Sequence, residues 1–87
     1  MEEQTLSRDL LLDYHNVHGK DCRIHENLEC RAQDRTLVRI CRIDRQRLGG
    51  LLPTRHTEHV SERKVPPEIT TEAQLREFAH SSGFWRQ

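Results

Sequence analysis

The chain has 87 residues, of which 33% are hydrophobic and 32% are charged, and its formal net charge is zero. So short a chain predicts one small domain over residues 1–87 with a thin hydrophobic core. No stretch approaches the roughly 18–20 apolar residues of a membrane span, and three cysteines are an odd number for a disulfide scaffold. We therefore expect a small, soluble, cytoplasmic protein with no membrane partner.

A first helix is predicted over residues 7–18. Ser7 can cap its start and Gly19 can end it, and the apolar side chains between them share one stripe. Residues 19–26 are polar and short, which indicates a connection or one brief strand.

Residues 27–48 fit two secondary structures. As a helix, the segment begins at the N-cap Asn27 and ends at Gly49. At about 100° per residue, its arginines then gather on one face, consisting of Arg31, Arg35, Arg39, Arg42 and Arg45. As a strand, residues 36–43 are rich in β-branched side chains, but neither face is cleanly apolar. We prefer the helix and keep the strand as the alternative.

Residues 49–69 hold glycines, prolines and polar side chains, and they predict a long loop with Leu51 and Leu52 tucked inward. Thr71 and Gln74 then form a capping box that opens a last helix, ending around residues 81–83. The predicted fold is a mainly α, three-helix domain with a long proline-containing loop. The alternative is an α+β domain with a short strand at 36–43.

Segregated charge is the main functional signal. Residues 1–30 carry seven acidic against three basic residues, and residues 31–55 carry seven basic against two acidic residues. Like charges on one helix face repel mildly, and an acidic surface opposite them would relieve the repulsion. That surface is either the chain's own acidic first helix or a partner.

We predict a non-enzymatic regulatory protein that docks on a protein partner. The contacts would come from the arginine face, that is Arg31, Arg35, Arg39, Arg42 and Arg45, with Trp85 as an aromatic anchor. The pair Phe84 and Trp85 has a second interpretation, in which both rings close the core. Formation of a homo-oligomer is compatible with the thin core.

Two alternatives use other chemistry. The arginines could contact nucleic-acid phosphates, although the neutral charge and scarce lysine argue against it. A small zinc-stabilised module is the second alternative, and its candidate ligands are His15, His18, Cys22, His25 and Cys30. No Cys-x2-Cys pair supports it, so no cofactor is expected. No motif fixes a catalytic base or a phosphate loop, so no enzyme activity is expected either.

Overall fold

The computed structural model describes residues 6–86, which form one four-stranded antiparallel sheet and one α-helix. The strands pair in chain order, so the sheet is a simple meander. The elements are β1 Leu10–His18, β2 Cys22–Arg31, β3 Thr36–Arg47, β4 Leu52–Lys64 and α1 Glu72–Ser81. The prediction of a mainly α, three-helix domain is therefore wrong. Its alternative strand at 36–43 lies inside β3.

The predicted central helix is a β-hairpin, and the reason lies in its apolar spacing. Cys30 and Leu37 are seven residues apart, which fits two turns of a helix. The same spacing puts them opposite each other on β2 and β3 across a four-residue turn, and both are fully buried there. Arg35 closes the turn in the left-handed region, with φ of 49°. Periodicity alone could not separate the two arrangements.

The predicted loop at 49–69 is mostly strand β4. This strand lies at the edge of the sheet, and almost all its side chains are exposed, so it has no apolar alternation to reveal it. Pro53 stands near its start, where the β3–β4 register is irregular, a position that tolerates the missing N–H. The first predicted helix is likewise wrong, since its residues form β1 and pair with β2.

The last helix is confirmed, with the capping box that the sequence predicts. The Thr71 side chain accepts a hydrogen bond from the Gln74 N–H, and the Gln74 side chain accepts one from the Thr71 N–H. Local side-chain chemistry specifies this start, because both partners lie within one turn. Leu75 and Ala79 are its buried residues.

Helix α1 packs on one face of the sheet and makes the core there. Buried residues of the helix and of the first three strands belong to one hydrophobic cluster, which includes Leu10, Leu12, Leu28, Cys30, Leu37, Val65, Leu75, Ala79, Phe84 and Trp85. Leu10 and Leu12 are two residues apart on β1 and both enter this core, and a bulge between Leu11 and Asp13 brings Asp13 to the same face. We call this side of the sheet the helix face.

The segment after α1 turns back over the sheet. The ring of Trp85 is 3% exposed and stacks on His15, with 4.8 Å between ring centroids. Beside it, buried Glu26 accepts hydrogen bonds from Arg86 at 2.9 Å and from Arg39 at 3.4 Å. This ion cluster marks the limit of the covered sheet.

The sheet is much longer than the helix that covers it. β4 has 13 residues and α1 has 10, which correspond to about 43 Å of strand and about 15 Å of helix. More than half of the strand length therefore has no helix on it. We call residues 16–25 and 42–58 the outer half-sheet, and residues 6–15, 26–41 and 59–86 the covered half.

Candidate functional site

The outer half-sheet keeps apolar side chains without a helix to cover them. On the helix face, one row crosses all four strands through register pairs and consists of Val17, Ile24, Ile43 and Thr57. Val17 is 55% exposed, and the other three are half-buried. Strand alternation thus continues the apolar face of the core beyond α1, where it meets solvent.

The outer half-sheet also has a surplus of basic side chains. It contains six basic residues and three acidic ones, whereas the chain as a whole is neutral. The side chains of five of the six basic residues make no ion pair or hydrogen bond within residues 6–86: Lys20, Arg23, Arg45, Arg47 and Arg55. Arg45 and Arg55 are register partners, so two free guanidinium groups lie side by side.

In the covered half, by contrast, almost all basic side chains have partners. All but Arg8 are engaged through their side chains with carboxylate, hydroxyl or carbonyl oxygens: Arg31, Arg35, Arg39, Arg63, Lys64, Arg76 and Arg86. Arg76, for example, joins Asp13 of β1 to Glu72 of the helix. Apart from Arg8 and Arg42, arginines that serve the fold and arginines left free therefore occupy different ends of the molecule.

The five arginines of the predicted face do not share a face. Arg39 and Arg45 lie on the helix face, while Arg31 and Arg42 lie on the opposite face. The spacing of 3.6 that grouped them belongs to a helix, whereas a strand alternates its side chains at every residue. The structure therefore does not gather these arginines into one surface. Their contacts with a partner stay a prediction.

Four of these five arginines have structural partners instead, among them Glu26 for Arg39 and Asp44 for Arg42. Arg35 donates hydrogen bonds to the backbone oxygens of Pro66, at 2.8 Å, and Ile69, and so ties the β2–β3 turn to the segment before α1. Arg31 lies 2.8 Å from Glu62 across the sheet. Trp85, the predicted anchor, is part of the core, as its second interpretation held.

A polar network on the opposite face was not anticipated from the sequence. Asp44 accepts hydrogen bonds from His56 Nδ1 at 2.6 Å and from Arg42 Nε at 3.0 Å, and His25 Nε2 lies 3.7 Å from its other oxygen. Tyr14 extends the network, with its hydroxyl 2.9 Å from His25 Nδ1. These bonds, above all the one from His56, hold the pKa of Asp44 below its ordinary value.

The network borders a shallow cleft of about 300 Å³ at the end of the sheet, lined in part by Lys20, Arg23 and Thr54. The members come from all four strands, with Arg42 and Asp44 both on β3, which is why the network as a whole has no signature in sequence spacing. The carboxylate of Asp44 is already engaged by the guanidinium group of Arg42 and by His56, so it contributes to the structure of this surface.

The predicted zinc ligands are divided between the faces of the sheet. His15, Cys22 and Cys30 lie on the helix face, and His18 and His25 lie on the other. Among the residues described, no three Cys, His, Asp or Glu side chains are grouped so as to hold a metal ion. Burial also raises the pKa of the Cys30 thiol, which disfavours the thiolate that zinc needs.

Comparisons with protein-family models, with curated proteins and with solved structures find no match to this chain. Within residues 6–86, no helix is long and apolar enough to cross a membrane.

Proposed function

We propose that the protein is a non-enzymatic binding module that docks on an acidic protein partner through its outer half-sheet. One observation carries the proposal: with the exceptions of Arg8 and Arg42, basic side chains are paired in the covered half and free in the outer half, next to an uncovered apolar row. An apolar centre with a rim of free arginines is the composition of a protein interface. Charge complementarity selects an acidic partner.

The geometry also supports binding rather than catalysis. In the Asp44 network, His25 is too far from the carboxylate for a hydrogen bond, and Tyr14 is 53% exposed. Free thiols at Cys22, Cys30 and Cys41 fit a reducing compartment, which supports a location in the cytoplasm.

Site-specific photocrosslinking tests the proposed interface. A photoreactive phenylalanine analogue replaces Ile24 or Ile43 in the outer half-sheet, or Glu77 on the exposed side of α1, and the protein is irradiated in nuclease-treated native extract. We expect the same acidic protein to be crosslinked from positions 24 and 43 and not from position 77. Equal crosslinking from all three positions contradicts the proposed interface.

Charge reversal tests the role of the free arginines, with Arg8→Glu as the matched control. The double substitution Arg45→Glu and Arg55→Glu should reduce that crosslink at least tenfold, because both guanidinium groups lie on the same face as Ile43 and have no partner inside the described chain. Arg8→Glu changes a free arginine of the covered half and should leave the crosslink unchanged. A crosslink that forms in untreated extract but not in nuclease-treated extract overturns the proposal in favour of nucleic acid.

A further inference from the structure

The β3–β4 tip, residues 47–52, places three leucines in solvent. Leu48 is 71% exposed, Leu51 85% and Leu52 41%, which contradicts the prediction that Leu51 and Leu52 are tucked inward. The 3-10 turn Leu48–Gly50 has no buried residue. The tip therefore projects a convex apolar end with no cover from the described chain.

The backbone of the tip holds its first leucine in an unfavourable conformation. Leu48 has φ of 49°, in the left-handed region where a Cβ is disfavoured, and the next two residues are glycines that accept positive φ freely. The side chain of Leu48 gains no buried contact in return. An unfavourable conformation without an internal benefit points to a use outside the fold.

Free arginines stand directly behind the leucines. Arg47 pairs with Leu52, and the next register pair along the hairpin is Arg45 with Arg55. Two residues of strand separate these pairs by about 7 Å. That distance matches the thickness of one headgroup layer, since the hydrocarbon core of a bilayer is about 30 Å thick and the whole bilayer about 40–45 Å.

We propose that the β3–β4 tip docks on an anionic lipid bilayer, with its leucines at the acyl boundary and its arginines among the phosphates. A narrow convex tip is too small for the roughly 800 Å² per partner of a standard protein interface. A fluid bilayer needs no such complementary area, and cationic side chains attract its anionic headgroups. Peripheral docking needs no membrane-spanning segment, so the expectation of no membrane partner is revised here.

Vesicle sedimentation tests the proposal directly. The probe is a vesicle of phosphatidylcholine with 30% phosphatidylserine at low salt, and vesicles of phosphatidylcholine alone are the comparison. We expect the protein to sediment with the anionic vesicles, and high salt to release it. No sedimentation with anionic vesicles, or equal sedimentation with both kinds, overturns the proposal.

Matched variants distinguish binding by the tip from binding by exposed hydrophobic or charged side chains elsewhere on the protein. Leu51→Ser should weaken partition at least tenfold, because burial of a leucine side chain contributes at least about 1.5 kcal/mol, and Arg45→Gln should weaken it about fivefold, from about 1 kcal/mol per arginine. Leu11→Ser and Arg8→Gln remove an exposed leucine and a free arginine of the covered half and should have no effect. Equal losses in the controls, or unchanged partition of Leu51→Ser, contradict docking by the tip.

The lipid proposal and the protein proposal can fail separately. Leu51 does not belong to the apolar row that contains Ile24 and Ile43, so Leu51→Ser should leave the crosslink from position 24 intact. Loss of that crosslink in Leu51→Ser, with no sedimentation of the parent protein, would instead assign the tip to the protein partner and overturn the lipid proposal.

Discussion

The covered half and the outer half-sheet are built from the same four strands but use their side chains differently. Leu37 and Ile43 stand six residues apart on the same face of β3, yet one is fully buried under α1 and the other is half-exposed. Arg76 and Arg45 differ in the same way, because one is paired with two carboxylates and the other is free. Cover by the helix, and not residue type, therefore decides whether a side chain of this molecule is buried or paired.

Shortening matched side chains on β3 should give the largest difference in stability between the two halves. Leu37→Ala should lower the free energy of unfolding by about 3 kcal/mol, because it leaves a cavity in the closed core. Ile43→Ala should lower it by about 1 kcal/mol or less, since solvent already reaches that side chain. Urea unfolding followed by the fluorescence of Trp85, the single tryptophan, measures both. Equal losses would show that both halves are equally packed.

Arginine offers the same contrast with a smaller effect. Arg35→Ala removes the hydrogen bonds that hold the backbone oxygens of Pro66 and Ile69, and we expect a loss of about 2 kcal/mol. Arg47→Ala, on the outer half-sheet, should change the free energy of unfolding by less than about 0.5 kcal/mol. A stability loss for Arg47→Ala that matches the one for Arg35→Ala would refute the division between structural and free arginines.

At the β3–β4 tip, a substitution should raise the free energy of unfolding and not lower it. Leu48→Gly relieves the left-handed strain at φ of 49° and should raise the free energy of unfolding by about 1 kcal/mol. The same change removes an exposed leucine, so partition onto anionic vesicles should fall. A thermal unfolding scan and the sedimentation assay together measure the trade of stability for binding. Lower stability in Leu48→Gly would show that the turn is not strained.

The smallest effect is expected at the Asp44 network, and it depends on pH. Because the pKa of Asp44 is lower in the folded state than its ordinary value of 3.8, the charged carboxylate stabilises the fold above that pH. The stabilisation is lost as the pH falls through the lowered pKa. Wild type should therefore exceed Asp44→Asn in unfolding free energy at pH 7, and the two should converge in strong acid.

Glu58→Gln is the control for that measurement, since Glu58 lies on the same face and has no ion pair within residues 6–86. It should show no comparable difference from wild type at pH 7. A gap between wild type and Asp44→Asn that persists unchanged below pH 2 would mean that the charge of Asp44 is not its cause.

Local chemistry in the sequence predicted α1 but not the sheet. The capping box of Thr71 and Gln74 has both partners within one turn, so the sequence alone can specify it. Partners in the β2–β3 hairpin, such as Cys30 and Leu37, are compatible with a helix as well, and the choice depends on pairing between distant strands. β4 was missed because an exposed edge strand has no apolar pattern to recognise.

The candidate site, too, was predictable from the sequence only where it does not depend on contacts between distant residues. Positive charge in residues 31–55 was visible in the sequence, and the free arginines Arg45, Arg47 and Arg55 lie in that range. Which arginines are free depends on carboxylates and carbonyls brought near by the fold, as Pro66 and Ile69 are to Arg35. The Asp44 network joins side chains from four strands, so no spacing along the chain could reveal it.

Hydrogen exchange of the backbone amides, resolved by mass spectrometry, tests the division between the halves most directly. The covered rungs around Cys30 and Leu37 should exchange only through global unfolding, because α1 packs on them. The outer rungs that pair Ile24 with Ile43 and Ile43 with Thr57 should exchange at least tenfold faster through local opening. Equal protection of both halves in the isolated protein would contradict the account, because the outer half-sheet would then need no partner to cover it.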